Sequence, residues 1–334
     1  MRQFRYLCYL VALLFGSLLV LGGILAFNVY KDPFADFLFL TGLNVHPIQR
    51  IDNSCDVKFK VGLLKSLPLD SIDVAVFGSS RPFRIDPESA GLKEIGCRSY
   101  NLAIQGATLP TIKSMIDFAK KKNPSMTCIV GLDFFAFGKN DNLPSLYLDS
   151  KRSWQANFDS FKRLIDFQTL LESLRPWNPN ARHVLLANGR SLINIGTKER
   201  ENMLNYLEKY SNETKKINEK VSKFVYDPQL VEGLILFKEK NKKIIFFLNP
   251  DSKWYLKPLM NSVLWKDYVR WKKDISKIGD VIDFSECYEI TENSEMYFDE
   301  VHYLDNAGEM ILEDIANSYF GRPLKHGKKM VAPE

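Results

Sequence analysis

Asp73-Val-Ala-Val-Phe-Gly-Ser-Ser-Arg81 decides how the chain is read. Its apolar run is continuous rather than alternating, the pattern of a strand covered on both faces, as in a parallel sheet. Gly78 ends the run, and two serines and an arginine follow at the strand's carboxyl end, where open parallel sheets bind ligands. Four more runs share the pattern: Tyr100-Asn-Leu-Ala-Ile104, Thr127-Cys-Ile-Val-Gly-Leu132, Lys243-Ile-Ile-Phe-Phe-Leu248 and Asp280-Val-Ile-Asp-Phe284.

Helical segments separate these strands. Leu109, Ile112, Met115, Ile116 and Ala119 mark one helix face, and the Lys120, Lys121, Lys122 run then leads to Pro124. Asp227-Pro228 reads as N-cap and first helical residue, with Leu230, Val231, Leu234 and Phe237 facing inward. The alternation predicts an α/β fold, a doubly wound five-stranded parallel sheet between two helical layers with right-handed crossovers. Residues 141–226 are extra to it and predict a helical insertion beside the ligand-binding end of the sheet. In that insertion Phe158, Phe161, Leu164, Ile165, Leu171 and Leu174 suit an amphipathic helix ended by Pro176, and 198–224 suit a charged helix or pair. The organisation expected is 1–30 N-terminus and anchor, 31–70 a lead-in segment, 71–320 the α/β domain and 321–334 a tail.

Residues 6–27 carry no charge and as a helix reach about 33 Å, enough to cross a hydrocarbon core of about 30 Å. A cleaved signal peptide is the rival reading, but its apolar region runs to about 7–15 residues, and the Leu25-Ala26-Phe27 exit lacks a small-x-small site. A retained single-pass anchor is the expectation. Arg2 and Arg5 precede the span, whereas Lys31 after it is offset by Asp32 and Asp36, so the positive-inside rule puts the short N-terminus in the cytoplasm and the rest outside. Four cysteines, Cys55, Cys97, Cys128 and Cys287, would then face an oxidising space; three full pairings are open, and Cys128 in its apolar run suits a buried thiol as well as a bridge.

The chain has 334 residues, 46% hydrophobic and 25% charged, with 18 Gly and 15 Pro, which excludes a disordered or collagen-like polymer. A net charge of +5 over this length does not imply nucleic-acid binding, and the basic tail at 325–329 reads as a solvated end. Five cysteines are too few for a disulfide scaffold. Phosphate-loop, zinc and EF-hand spacings are missing, so no cofactor or metal is implied.

At the strand ends stand Gly78-Ser79-Ser80-Arg81, Gln105-Gly106-Ala107, Asp133-Phe134-Phe135 and, before a helix containing Gly308, Met310, Ile311 and Ile315, Asp299-Glu300-Val301-His302. Each has a bland reading. Ser79-Ser80 suits a helix cap, a D-x-x-H arises by chance, and Phe134, Phe135 and Phe137 suit core or pocket wall better than a sugar platform. His46, His183 and His326 read as surface or structural residues. The D-x-x-H gains weight from standing between the fifth strand and an amphipathic helix.

The blocks VFGSSR, YNLAIQGAT, GLD and DEVHYLDNAGEMIL, in this order, resemble the SGNH (GDSL-type) hydrolase superfamily. With the N-terminal anchor, the chain is similar to its branch of membrane-anchored esterases and O-acyltransferases acting on cell-envelope polysaccharides. The resemblance covers about residues 70–140 and 240–318. It implies a flavodoxin-like sheet, Ser80 as nucleophile, His302 as base, Asp299 orienting it, and Gly106 as an oxyanion donor. A carboxylate three residues before His302 can accept from Nδ1 and fix the tautomer, and the Ser80 and Gly106 N–H groups can meet a tetrahedral oxyanion. Where the family supplies an Asn, this chain has Asp133. An ionised Asp133 repels an oxyanion, so it is protonated, it pairs with Arg81 or Arg84, or the third donor comes from Asn101 or Gln105. Implied partners are an acyl donor, a glycan acceptor and a multi-span membrane-bound O-acyltransferase; the implied location is a bacterial-type inner membrane, the domain facing the periplasm. The alternative is a non-catalytic SGNH-like glycan-binding or scaffold module, which Asp133 favours.

Overall fold

The computed structural model describes residues 2–37, 48–49, 53–139, 161–178, 180–210 and 224–331. In chain order the elements are α1 (Arg2–Lys31), β1 (Ile48–Gln49), α2 (Asn53–Ser66), β2 (Val74–Phe77), α3 (Ala90–Ile95), β3 (Ser99–Asn101), α4 (Leu109–Lys122) and β4 (Thr127–Leu132). After them come α5 (Phe167–Leu174), β5 (His183–Leu185), β6 (Ser191–Ile193), α6 (Thr197–Tyr210), α7 (Pro228–Lys240) and β7 (Ile244–Leu248). The chain closes with α8 (Lys253–Met260), α9 (Trp265–Ser276), β8 (Val281–Asp283), α10 (Asp305–Tyr319) and β9 (Lys328–Lys329).

All five apolar runs lie in one sheet of order β3-β2-β4-β7-β8-β9, parallel except for β9. In register, Ala75 faces Tyr100 on one side and Cys128 on the other, and Ile129 faces Ile245. Period-two alternation sends Ala75, Phe77, Cys128, Val130 and Phe246 into a core shared with Ile112 and Met115 of α4, Leu234 of α7 and Trp271 of α9. Val74, Val76, Ile129, Phe247 and Ile282 go to the opposite core with Leu92 of α3 and Ile311, Leu312 and Ile315 of α10. Two apolar faces require two helical layers, and that is why these strands read as continuous hydrophobic runs.

The chain leaves β2 toward β3 on one side and resumes with β4 on the other. This reversal of direction opens a crevice at the carboxyl ends of β2 and β4. Gly78 makes the exit from β2, with φ +149; a Cβ there would stand 2.9 Å from the Gly131 carbonyl oxygen and 2.6 Å from Pro82 Cγ.

Two expectations are corrected, and the lead-in segment gains a structural part. The sheet has six strands, not five, because 328–329 of the expected tail pair antiparallel with Ile282 and Asp283; two lysines on an edge carry no apolar pattern to reveal a strand and suit an edge that must repel other chains. The lead-in segment contributes to the core, since Phe59, Leu63 and Leu64 of α2 are fully buried. The insertion is not all helical: β5 and β6 form a hairpin that joins β1 in a separate three-stranded antiparallel sheet. Its expected amphipathic helix is broken in two: 161–164 are helical, the chain turns at Ile165, and α5 begins at Phe167, where the Asp166 carboxylate accepts from the Gln168 N–H and caps the first turn. Phe158 and residues 211–223 lie outside the described residues.

Cys97, Cys128 and Cys287 are free thiols, and burial pushes Cys128 up to about 12; the Cys55 side chain lies outside the described residues. Helix α1 is long and apolar enough to cross a membrane, and its exposed surface runs to Gly23 before Ile24 begins to be covered.

Candidate active site

A short extended loop carries the D-x-x-H. Tyr297 and Tyr303 bridge antiparallel, and the Phe298 N–H donates to the His302 carbonyl oxygen at 2.7 Å, closing 298–302 into a tight turn. Inside it Asp299 Oδ1 accepts from the N–H groups of Val301 at 2.9 Å and His302 at 2.8 Å, so the carboxylate organises the turn that holds it. His302 Nδ1 lies 2.7 Å from Asp299 Oδ2. Burial works to raise the Asp299 carboxyl, but the His302 hydrogen bond, its charge and the two backbone donors outweigh it, holding the group below the usual carboxylate range. A carboxylate can only accept, so Nδ1 carries a proton, and in the neutral ring the Nε2 lone pair is the one turned to Ser80.

Ser80 Oγ stands 2.7 Å from that Nε2, 222 residues away in sequence. Ser80 occupies the N-cap position of the turn Arg81–Arg84, yet its side chain makes no capping bond. The capping-type bond belongs to its neighbour: Ser79 Oγ accepts from the Arg81 N–H at 3.3 Å and donates to Asp133 Oδ2. Side-chain exposures of 27% for His302 and 21% for Asp299 leave both groups half-buried.

The Gly106 loop leaves the stretch of chain that continues β3 alongside β2: Leu102 N donates to Val76 O at 2.7 Å and Ile104 N to Gly78 O at 3.0 Å. The chain then turns, Ala107 N bonding to Ile104 O at 3.1 Å with Gly106 at φ +67, a left-handed position open to glycine. A Cβ on Gly106 would meet nothing within 4 Å, and Gln105 and Gly106 are both exposed. Among the described residues neither the Ser80 nor the Gly106 N–H enters a backbone pairing.

Beneath this half-exposed group lies a closed polar network. Asp133, 6% exposed, takes Arg81 Nε at 3.0 Å and Asn249 Nδ2 at 3.1 Å on Oδ1, with the Ser79 hydroxyl on Oδ2. The Arg81 guanidinium continues to Asp251, whose other oxygen accepts from Tyr268 at 2.6 Å, and it lies over the Tyr255 ring at 5.0 Å. Asn249 Oδ1 accepts from Tyr303 at 3.0 Å, tying the network to the His302 loop. Burial pushes the Asp133 carboxyl above the usual range, although Arg81, Ser79 and Asn249 pull it back, and the two carboxylates keep Arg81 protonated.

Of the expected residues, Ser80, His302 and Asp299 are brought within hydrogen-bond reach of one another, with Gly106 on the adjoining loop. Asp133 and Arg81 pair with each other below them, while Arg84 goes instead to Asp305 at 3.0 Å and to the Ile193 carbonyl at 3.3 Å. Asn101 is corrected as an oxyanion candidate: it is fully buried, its amide N–H₂ reaches the carbonyls of Pro82, Phe83 and Ile85, and its Oδ1 accepts from Ala103 N. It holds the turn after Ser80 in shape. Asn249 and Asp251 were missed; they directly follow the fourth apolar run, and reading every strand end alike would have found them. Phe134 and Phe137 are core residues.

The insertion braces both loops. Arg190 of the β5–β6 hairpin pairs with Asp86 and with Asp305, and Arg200 of α6 donates to the carbonyls of Tyr297 and Ser294. Among the described residues no group of three or more His, Cys, Asp or Glu is placed to hold a metal. No protein-family model matches the chain, and no curated protein matches it.

Proposed function

We propose that the chain is a membrane-anchored serine esterase or O-acyltransferase of SGNH type, working outside the cytoplasm on acyl esters of cell-envelope glycans. One observation carries the reading: Ser80 Oγ at 2.7 Å from His302 Nε2, with Asp299 at 2.7 Å from the other ring nitrogen. A serine hydroxyl is a weak nucleophile until a base takes its proton, and an imidazole held in one tautomer by a carboxylate is such a base. The strand order β3-β2-β4-β7-β8 supports the flavodoxin-like arrangement that the resemblance implies.

In the reaction Ser80 Oγ attacks the acyl carbonyl carbon while its proton passes to His302 Nε2. Asp299 stabilises the imidazolium, and the N–H groups of Ser80 and Gly106 receive the oxyanion. Collapse breaks the bond to the donor oxygen, which takes the proton from His302 and leaves an acyl-Ser80 ester. A water or a sugar hydroxyl then adds to that ester, giving its proton to His302, and Ser80 departs with the proton returned. Asp133 need not repel the oxyanion, because its carboxylate is directed to Ser79, Arg81 and Asn249. The acceptor decides between hydrolysis and transfer; the anchor favours a glycan acceptor and a membrane-embedded acyl donor protein as partner.

A fluorophosphonate probe on the full-length protein tests the reading. Wild type should label and Ser80→Ala should not, at equal folded content; a wild-type protein inert to the probe would sink it. The second reading, a non-catalytic glycan-binding or scaffold module, is favoured by Asp133 and by the engagement of the Asn101 and Asn249 amides away from Ser80. It calls for an unlabelled protein that still retains envelope glycan.

A further inference from the structure

Helix α5 is turned inside out. It buries Thr169 and Ser173, whereas Phe167, Leu171 and Leu174 are 69%, 46% and 61% exposed. Spacings of four and three put those three side chains on one face, opposite the small polar pair. The flanking chain extends the stripe through Ile165 and Trp177, 56% and 48% exposed. A contiguous apolar surface of this kind marks a contact that water does not fill.

Its position says what fills it. Helix α5 packs against α1, and just before it Leu164 accepts from Asn28 Nδ2 at 2.8 Å, while Arg163 reaches Asp36 at 3.3 Å and lies over Phe34. Asn28 directly follows the uncharged run 6–27. Half of a hydrocarbon core of about 30 Å takes about ten residues of helix, so a span centred on that run leaves the core close to Phe27. The α1–α5 contact therefore lies where hydrocarbon gives way to headgroups. An amphipathic helix rests at that depth, and a tryptophan at its end prefers it. Small residues on the inner face, Thr169 and Ser173, suit close approach to a membrane helix.

We propose that the α5 stripe is embedded in the outer interface of the bilayer that α1 crosses, so the domain lies against the lipid surface at a set height. The occupant is lipid, because the stripe continues the exposed apolar surface of α1 at the level where that helix exits. The inference rests on α1 as a membrane span and does not depend on any chemistry at Ser80.

The test uses the full-length protein in vesicles of phosphatidylethanolamine and phosphatidylglycerol, with the same lipids brominated near the top of the acyl chains. The Trp177 signal is the difference in fluorescence between wild type and Trp177→Phe. It should be quenched by brominated lipid and shielded from aqueous iodide. The double variant Phe167→Glu with Leu171→Glu, at exposed positions that leave folding intact by circular dichroism, should lower lipid quenching at least twofold and restore iodide access. Quenching by iodide but not by brominated lipid would place the stripe in water and overturn the proposal. Shielding from both quenchers would mean a protein partner or a second copy covers it, which overturns the proposal equally. Probe labelling of Ser80, measured on the same vesicles, stands or falls separately.

Discussion

Ser79 and Ser80 are neighbours in the chain, yet their hydroxyls serve opposite assemblies. Ser80 meets a half-buried imidazole at hydrogen-bond distance. Ser79 points down to Asp133, in a buried network where each charge meets a partner of opposite sign. In the proposed reaction the upper group changes protonation state, whereas the lower holds the loop that carries it in one shape. A buried network of this kind is weak evidence for stability as such, but removing one member leaves an unpaired charge in a dry site.

The largest expected effect is on activity in the upper group. Ser80→Ala should lower ester turnover by about 10⁴-fold or more, with the urea midpoint unchanged. Asp299→Asn should follow closely, about 10⁴-fold, because the amide favours the wrong tautomer of His302; turnover within tenfold of wild type would show that Asp299 does not set that tautomer. In the lower group the effect moves to stability. Arg81→Met should cost about 3–5 kcal/mol in urea unfolding, since Asp133 and Asp251 lose their shared partner. Ser79→Ala should cost about 1–3 kcal/mol for the lost donor to a buried carboxylate and change turnover less than tenfold. If Ser79→Ala abolished turnover as Ser80→Ala does, the division between the two assemblies would fail.

The smallest and sharpest contrast is in pH. Asp299 is held below its ordinary range, so its share of stability is present above about pH 4 and lost as pH falls through its folded value. Asp133 is pushed above that range, so the folded state holds its proton more firmly, and its share is present below about pH 4 and lost as pH rises through its folded value. Unfolding free energies of Asp299→Asn and Asp133→Asn, each subtracted from wild type across the acid range, should therefore change with opposite slopes. Parallel slopes would contradict the two environments.

The surface of the α10 region offers a second acid–imidazole arrangement that shows why sequence pattern cannot rank histidines. His326 Nδ1 lies 2.8 Å from Glu289 and its Nε2 3.3 Å from Glu313. With a carboxylate beside each nitrogen the ring serves as a clasp between two acids, both nitrogens being engaged there. The structural expectation for His326 agrees with this, but the reason lies in residues 37 and 13 positions away. The D-x-x-H differs in being local. Its carboxylate and ring share one five-residue turn, so spacing alone carries most of that geometry.

Hydrophobic pattern made β2, β4, β7 and β8 legible, because each lies inside the sheet and shows as a run of mostly buried, mostly apolar residues, while the edge strand β3, Ser99–Asn101, only overlaps the start of the apolar run 100–104; α4 and α7 were legible from their 3.6-residue period and, for α7, from the Asp227 cap. The β5–β6 hairpin and β9 were not: the hairpin strands His183–Leu185 and Ser191–Ile193 mix polar and apolar residues over too few positions to show a period, and β9 is two lysines that pair with the distant β8.

By itself the amino-acid sequence determined the apolar span at the start of the chain, the alternation of strands and helices, and the rim on which polar residues gather. These follow from side-chain hydropathy and backbone preference, which act over a few residues. Only the tertiary structure decided that Ser79 turns down to Asp133, that Asp133 turns toward Arg81 and not Arg84, and that the apolar face of α5 is left uncovered beside α1. Those outcomes depend on distances between segments far apart in the chain, which are set when the sheet and its two helical layers pack.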